Sequence, residues 1–416
     1  MKLLYIILGA LALVIVWVLW ITGHPRRSDL LPPDEAAQLD ALLDPLYTSG
    51  QPLPGNSIET YTSLLSMYGR LLDDIAAARH HVHVQFFKFE DDATGRHVGQ
   101  ALSDRAAAGV EVRLMYDDLV CRPWRPLYRD LRRQGVQTAG FRPVRLPVPL
   151  KDDYYRNHRK AIVIDGRVAY IGGLNIADRY LHGLSWGCWR DTMIRIEGPA
   201  ATAVQRCFLA DWRYSTGQLL ASPAYFPRLS PVGALPVRII ASGPIGNGPA
   251  IMHFTAELLN RAERYVWFES PYFIPPDDIR HTLLAAARRG VDVRIILPPR
   301  SDRGETTQLA SKSYFAEALS AGVSFALYQP GYMHSKIIVS DDRVGMVGSC
   351  NLDPRSHLLC QEVAAVVEDG EFARQLKAAF LADEAESTCI DPAEWAARPC
   401  RERAAEALMH TVAPLL

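Results

Sequence analysis

His158 and Lys160, two residues apart in an apolar run, open a frame that closes on Gly172-Gly173-Leu174-Asn175. The frame recurs at His334 and Lys336 and closes on Gly348-Ser349-Cys350-Asn351. Each fixed residue type returns at an offset of 176, Asp165 and Asp341 among them. Side chains alternate along a strand, so His and Lys two apart share a face. Asp165-Gly166 is a strong two-residue hairpin signal, and Asp341-Asp342 a weaker one. Two-residue turns would put Gly173 opposite His158 and Ser349 opposite His334, leaving room beside each ring for a bulky anion. Each Asn lies two residues further along, on the same face. One hairpin would then aim an imidazole, an ammonium and a carboxamide at one point, which is a phosphate site without a metal.

Two such frames allow a two-step transfer at phosphorus. Phosphoryl transfer usually calls on a divalent metal to neutralise the oxygens. Two lysines and two asparagines can supply that charge and those hydrogen bonds in a dry cleft. One neutral imidazole attacks phosphorus and forms a covalent phospho-histidine. The other donates a proton to the leaving alkoxide, then as a base activates the incoming hydroxyl. Each ring needs an acceptor on its other nitrogen to hold one tautomer. Asp191, 33 residues after His158, and Glu362, 28 after His334, stand at matching places and are the candidates. No metal-ligand spacing or cofactor motif is present. His80-His81-Val82-His83 falls on an expected strand and reads as structural rather than as a zinc site. The run from Gly243 to Gly248 reads as a turn rather than an anion cap.

The elements that must position these residues are also written twice. In the first half, helix is expected over 57–79, strand over 80–89, helix over 97–108 and strand over 110–116. The second half replays the order over 250–264, 265–268, 279–289 and 291–297. Gly109-Val-Glu-Val-Arg is echoed by Gly290-Val-Asp-Val-Arg, at an offset of 181. The pattern predicts two tandem α/β domains, mixed sheets flanked by helices, over 56–220 and 221–390, with one active site at their interface. The Pro-rich stretch 215–236 marks the boundary, and a helical tail follows over 391–416.

A length of 416 residues accommodates two ordinary domains and extras. An apolar share of 49% with 22% charged residues is that of a folded chain, and a net charge of -1 gives no bulk attraction to nucleic acid. The seven cysteines are scattered, with no C-x-x-C pair, and read as reduced thiols rather than a disulfide framework. Residues 3–22 carry no charge, about the length needed to cross a bilayer as a helix. Tyr5, Trp17 and Trp20 suit its interfacial ends. A single N-terminal transmembrane anchor is therefore expected over 1–23, with a linker over 24–55. The competing signal peptide lacks a small-residue cleavage site. Residues 122–159 hold ten Arg or Lys against three Asp, with aromatics interleaved. This is either a solvated helix with a long connection or a basic lip that draws anionic headgroups. The anchor and the near-neutral net charge favour lipid over nucleic acid.

The two frames resemble the paired signature of the phospholipase D superfamily. Flanking blocks make the chain similar, within it, to the bacterial cardiolipin synthases. These blocks are Phe208-Leu-Ala-Asp211-Trp212, Ser242-Gly243-Pro244, Pro271-Tyr272-Phe273-Ile-Pro275 and Asn351-Leu-Asp353-Pro-Arg355-Ser356. The likeness runs from about Gly55 to Ile390. It implies a metal-independent transphosphatidylation at a bacterial inner (cytoplasmic) membrane. One phosphatidylglycerol would pass its phosphatidyl group to a second and release glycerol, with phosphatidylethanolamine as another conceivable donor and no nucleic-acid partner. It implies His158 as nucleophile, His334 as general acid and base, and Lys160, Lys336, Asn175 and Asn351 as phosphate ligands. Asp191 and Glu362 would orient the histidines, and Asp165 and Asp341, though part of the catalytic frame, resemble hairpin-fixing residues. Two departures stand out: a single anchor, and Cys360 two residues before Glu362, where relatives often carry Asn. A hydrolytic phospholipase D, a membrane-tethered nuclease and a non-catalytic lipid-binding protein are the rival readings.

Overall fold

The structure is a computed structural model that describes residues 52–143, 155–220, 222–245 and 248–413. The expected anchor, most of the linker and the middle of the basic stretch lie outside the described residues. Among the described residues no helix is long and apolar enough to cross a membrane.

Each half begins its sheet with three parallel strands joined by helical crossovers. In the first half these are His81–Phe86, Glu111–Asp117 and Gln137–Phe141. In the second they are Tyr265–Glu269, Asp292–Leu297 and Ser324–Tyr328. The crossover helices Ala93–Ala107 and Asp277–Arg288 each run into a glycine with positive φ, Gly109 at 86° and Gly290 at 90°. A left-handed residue there ends the helix and turns the chain into the next strand. The sheet then becomes antiparallel through the motif hairpin, Ala161–Ile164 with Val168–Gly172 in one half and Ile337–Ser340 with Val344–Gly348 in the other.

Met193–Glu197 and Leu53–Tyr61 complete the first half; Cys360–Val367 and Leu235–Ser242 complete the second. Leu53–Tyr61 pairs antiparallel with Leu235–Ser242, so both halves share one continuous sheet. The segment 57–61, expected to open a helix, is thus strand; the helix starts at Leu64 and runs to Ala77. Antiparallel pairing of 57–61 with Met193–Glu197 overrides local helical patterning there.

Apolar residues fill both faces. Ile162, Ile164, Val82 and Val84 pack under the helix 64–77, while Val163, Ala169 and Ile171 face Phe208 and Val204 of the helix Ala201–Thr216. The tail opens with a short strand, Ser387–Cys389, laid on the edge strand Ser324–Tyr328, before its two helices.

The motif turns differ from expectation by one residue. The Ile164 carbonyl accepts from the Arg167 N–H across Asp165 and Gly166, whose φ values are 52° and 63°. Pairing then resumes with Ile164 opposite Val168, leaving Arg167 as an extra residue. The second hairpin repeats this, with Asp341 and Asp342 at φ 56° and 55° and Ser340 opposite Val344. Gly173 and Ser349 therefore do not lie opposite the histidines.

Candidate active site

Two short parallel ladders, each joining a strand of one half to a strand of the other, bring the site together. Arg156–Asn157, just before His158, pairs with Cys360–Gln361, just before Glu362. Gly331–Met333, just before His334, pairs with Cys188–Arg190, just before Asp191. Backbone bonds extend both ladders by one residue: His158 N–H to the Gln361 carbonyl at 2.9 Å, and His334 N–H to the Arg190 carbonyl at 2.7 Å. In-register parallel strands set next-in-line residues side by side. Each histidine therefore meets the carboxylate of the opposite half. Nδ1 of His158 lies 2.7 Å from Oε1 of Glu362, and Nδ1 of His334 lies 2.6 Å from Oδ2 of Asp191. Spacing along the chain pointed to Asp191 beside His158 and Glu362 beside His334; each carboxylate is instead bonded to the histidine of the other half.

Gly173 and Ser349 serve these carboxylates. A Cβ at Gly173 would collide with Asp191 Oδ1, so glycine lets the carboxylate close on the strand. Ser349 Oγ donates to Glu362 Oε2, and its hydroxyl also accepts from the Val363 N–H at 3.0 Å. The small residues seat the carboxylates rather than leave room for an anion.

All four His and Lys side chains are buried. Lys160 Nζ donates to the His158 carbonyl at 2.6 Å, and Lys336 Nζ donates to the His334 carbonyl. Phe87 stands edge-on to the His158 ring at 4.8 Å, while Trp189, Tyr332 and Tyr180 surround His334 at 4.9, 5.8 and 5.9 Å. In these dry walls charge is costly. Burial lowers the His158 pKa well below its ordinary value, helped by the positive charges of Lys160, Lys336 and Arg303 and by His334. Burial, then Lys336, brings His334 down to about 4 against the pull of Asp191. Burial takes Lys160 to about 7 and Lys336 to about 8, and pushes Glu362 up to about 8. Both motifs thus act on one another electrostatically, and in the free site both imidazoles are neutral at neutral pH.

The asparagines are placed differently from expectation. Asn175 Oδ1 accepts from the Lys88 N–H at 3.0 Å and its Nδ2 donates to Tyr180 Oη at 2.7 Å. Asn351 Nδ2 donates to Asp353 at 3.2 Å, and its buried Oδ1 has no partner among the described residues. The Asn175 carboxamide is committed to fixing the loop beside Phe87. Asp165 accepts the N–H groups of Arg79, His80 and His81 at 2.8, 2.7 and 2.9 Å. Asp341 does the same for Glu263, Arg264 and Tyr265, each at 2.9 Å. Both aspartates tie the far end of their hairpin to the start of a parallel strand and take no part in the site.

A buried network supports the first motif. Asp211 Oδ2 accepts from Arg159 at 2.6 Å and from Asn157 at 3.2 Å. Of the basic stretch, Arg156 is buried against Asp117 at 2.8 Å and Arg125 pairs with Asp118 at 2.7 Å. Those two cations build the fold, while Arg122, Arg129, Arg132 and Arg133 are exposed and Arg145 and Lys151 lie outside the described residues. His83 is held between Gln205 and Arg113, a structural role.

Sequence reasoning missed Phe87, Lys88, Tyr332 and the Asp302-Arg303 pair. Asp302 accepts from Tyr332 Oη at 2.6 Å and from Tyr272 Oη. Tyr332 stands two residues before His334, as Arg156 does before His158; the loop residues carry no periodic signal.

A pair of imidazoles with committed Nδ1 atoms, two buried ammoniums and dry walls suits nucleophilic displacement at a phosphodiester. Comparison with known proteins agrees. Residues 71–212 and 255–383 match the family described as cardiolipin synthase, PLD-like domain. A cardiolipin synthase of Geobacillus kaustophilus is 38% identical over 365 residues, 87% of this chain and 71% of that protein. The major cardiolipin synthase of Bacillus subtilis is 35% identical over 367 residues, 87% of this chain and 76% of its own. The phosphatidylserine synthase of Haemophilus influenzae shares the fold, with a TM-score of 0.66 at 16% identity over 92% of this chain and 100% of that one. The chain belongs to the cardiolipin synthase family of the phospholipase D superfamily.

Proposed function

We propose that the protein joins two phosphatidylglycerol molecules into cardiolipin and releases glycerol. The exchanged His–carboxylate pairs carry this reading, because they leave each Nε2 as the only uncommitted ring nitrogen. Nε2 of His158 attacks phosphorus of the first lipid; the P–N bond forms as the bond to the glycerol oxygen breaks. His334 Nε2–H gives its proton to that oxygen. A bound phosphodiester anion favours protonated His334, which the empty site holds neutral. His334, now a base, takes the proton from a primary hydroxyl of the second lipid. The new P–O bond forms, the P–N bond breaks, and His158 is regenerated. Lys160 and Lys336 offset the oxygen charge in both steps. Glycerol and the lipid headgroup offer nearly the same nucleophile, so the exchange is close to thermoneutral.

The uncharged run 3–22 supports a single-pass anchor in the bacterial inner membrane. The test is incubation of the full chain with phosphatidylglycerol in detergent micelles. Wild type is expected to yield cardiolipin, and His158→Ala and His334→Ala none. Phosphatidic acid as sole product, or wild-type yield from either variant, defeats the reading.

A further inference from the structure

Transfer between two lipids requires a place for two phosphodiesters, and the buried His–Lys cluster accounts for one. Immediately beside it stand two cations from opposite halves. Lys88 follows Phe87, whose ring packs on His158 at 4.8 Å. Arg303 follows Asp302, which is bonded to Tyr332 beside His334. The loop carrying Lys88 is held by Asn175 through the Lys88 backbone N–H. The guanidinium of Arg303 lies 5.0 Å from the Tyr272 ring centroid, over the aromatic face. Among the described residues, neither side chain has a hydrogen bond or ion pair. Lys88 is half-buried and Arg303 reaches solvent. Most other cations near the site are matched: Arg179 pairs with Glu90, Arg190 with Asp383 and Arg159 with Asp211.

We infer that Lys88 and Arg303 form a second phosphodiester subsite, which holds the headgroup phosphate of the acceptor lipid while its terminal hydroxyl reaches the phospho-histidine. This deepens the transfer reading and rests on it. The acceptor's phosphate and its attacking oxygen are separated only by a glycerol unit, so the second anion must bind next to the first. The Lys88 ammonium, partly buried near Arg179 and Arg303 and only partly offset by Asp302, costs free energy in the empty protein, and a bound anion lowers that cost. The two cations act on each other: Arg303 helps push the Lys88 pKa down, after burial and Arg179. The same group acts on His158. One cation from each half also makes acceptor binding depend on correct assembly of the cleft.

The experiment compares two acceptors for the same phospho-histidine. One is phosphatidylglycerol, read as cardiolipin; the other is labelled free glycerol, which has no phosphate, read as label entering phosphatidylglycerol. Lys88→Gln and Arg303→Gln are expected to lower cardiolipin formation at least about tenfold more than glycerol exchange, chiefly through a raised KM for the lipid. Lys88→Arg and Arg303→Lys, which keep the charge, are expected to restore most of the loss. Parallel loss of both reactions in the Gln variants overturns the subsite alone, as does equal loss in the charge-keeping variants. A wild-type protein that performs neither transfer overturns the underlying reading and the subsite with it.

Discussion

His158 is oriented by Glu362, a residue 204 positions away in the other half, with Nδ1 and Oε1 2.7 Å apart. His334 and Asp191 repeat the relationship across 143 positions. Neither half can therefore prepare its own histidine, which gives a physical reason for the duplication to stay fused. Glu362→Gln offers Nδ1 a carboxamide that can present the wrong hydrogen-bond sense. A comparable change in a Ser-His-Asp triad lowers kcat by about 10⁴. Glu362→Gln is expected to cost on the order of 10²–10⁴ in kcat by that analogy, with KM little changed. A steady-state assay on phosphatidylglycerol micelles checks it, and a loss confined to KM would contradict the orienting role.

The two histidines should separate when the leaving group no longer needs a proton. A phosphatidyl ester of p-nitrophenol departs as a stable anion, so only the nucleophile is required for the first step. His334→Ala is expected to release a burst of p-nitrophenolate, about one equivalent per protein, and then stall. His158→Ala is expected to show no burst. Stopped-flow absorbance reads both, and a burst in the His158 variant would move the nucleophile elsewhere.

Anion affinity should fall with rising pH. Burial depresses Lys160 to about 7 and Lys336 to about 8. Below those values both ammoniums are charged; above them the site loses the cations that attract a phosphate analogue. Tungstate binding, followed by calorimetry, is expected to be tightest near or below pH ~7 and to weaken progressively above pH ~8. The bound anion itself raises both lysine pKa values, so proton uptake should accompany binding near pH 8. Affinity that is flat across this range would mean the lysines do not face the anion.

Much of this architecture is legible in the sequence because duplication supplies a control. Gly109 and Gly290 stop equivalent helices, and the two His–Lys frames mark equivalent hairpins. What local spacing could not supply was the pairing between halves. Which carboxylate meets which ring depends on the parallel ladders 156–157 with 360–361 and 331–333 with 188–190. Those strands are two and three residues long and carry no periodicity. The hairpin register failed for a related reason: the extra residue after each turn, Arg167 or Arg343, has no signature of its own. Lys88 and Arg303 sit on loops, where neither alternation nor helical period applies.

Asp165 tests whether a residue inside the frame contributes chemistry or only structure. Its carboxylate accepts three backbone N–H groups at 2.7–2.9 Å. Asp165→Ala removes all three bonds and places Ala at a φ of 52°, which disfavours a side chain unable to bond locally. The expected loss of stability is about 2–4 kcal/mol, discounted because Arg79 and His80 can turn to water. Turnover per folded molecule is expected to stay within about threefold of wild type. Denaturant unfolding and an active-site titration separate the two quantities. A large drop in turnover at full folding would return Asp165 to the reaction.

Asp211 and Arg159 provide the opposite case, a pair remote from phosphorus whose loss should reach it. Arg159 lies between His158 and Lys160, is buried, and meets Asp211 at 2.6 Å. Its Nε also donates to the Glu362 carbonyl at 3.0 Å, so the guanidinium joins the helix 201–216 to both strands that set the nucleophile. Asp211→Ala strands a buried charge, which costs about 3–5 kcal/mol in comparable cases. The unfolding midpoint should fall accordingly. Below that midpoint kcat should drop as well, because the strand that presents His158 loses its clamp. Asp211→Asn keeps the acceptor oxygen for Asn157 while removing the charge, and should recover the geometry in part. If both variants lose stability but keep full kcat, the network holds the fold and has no hold on the histidine.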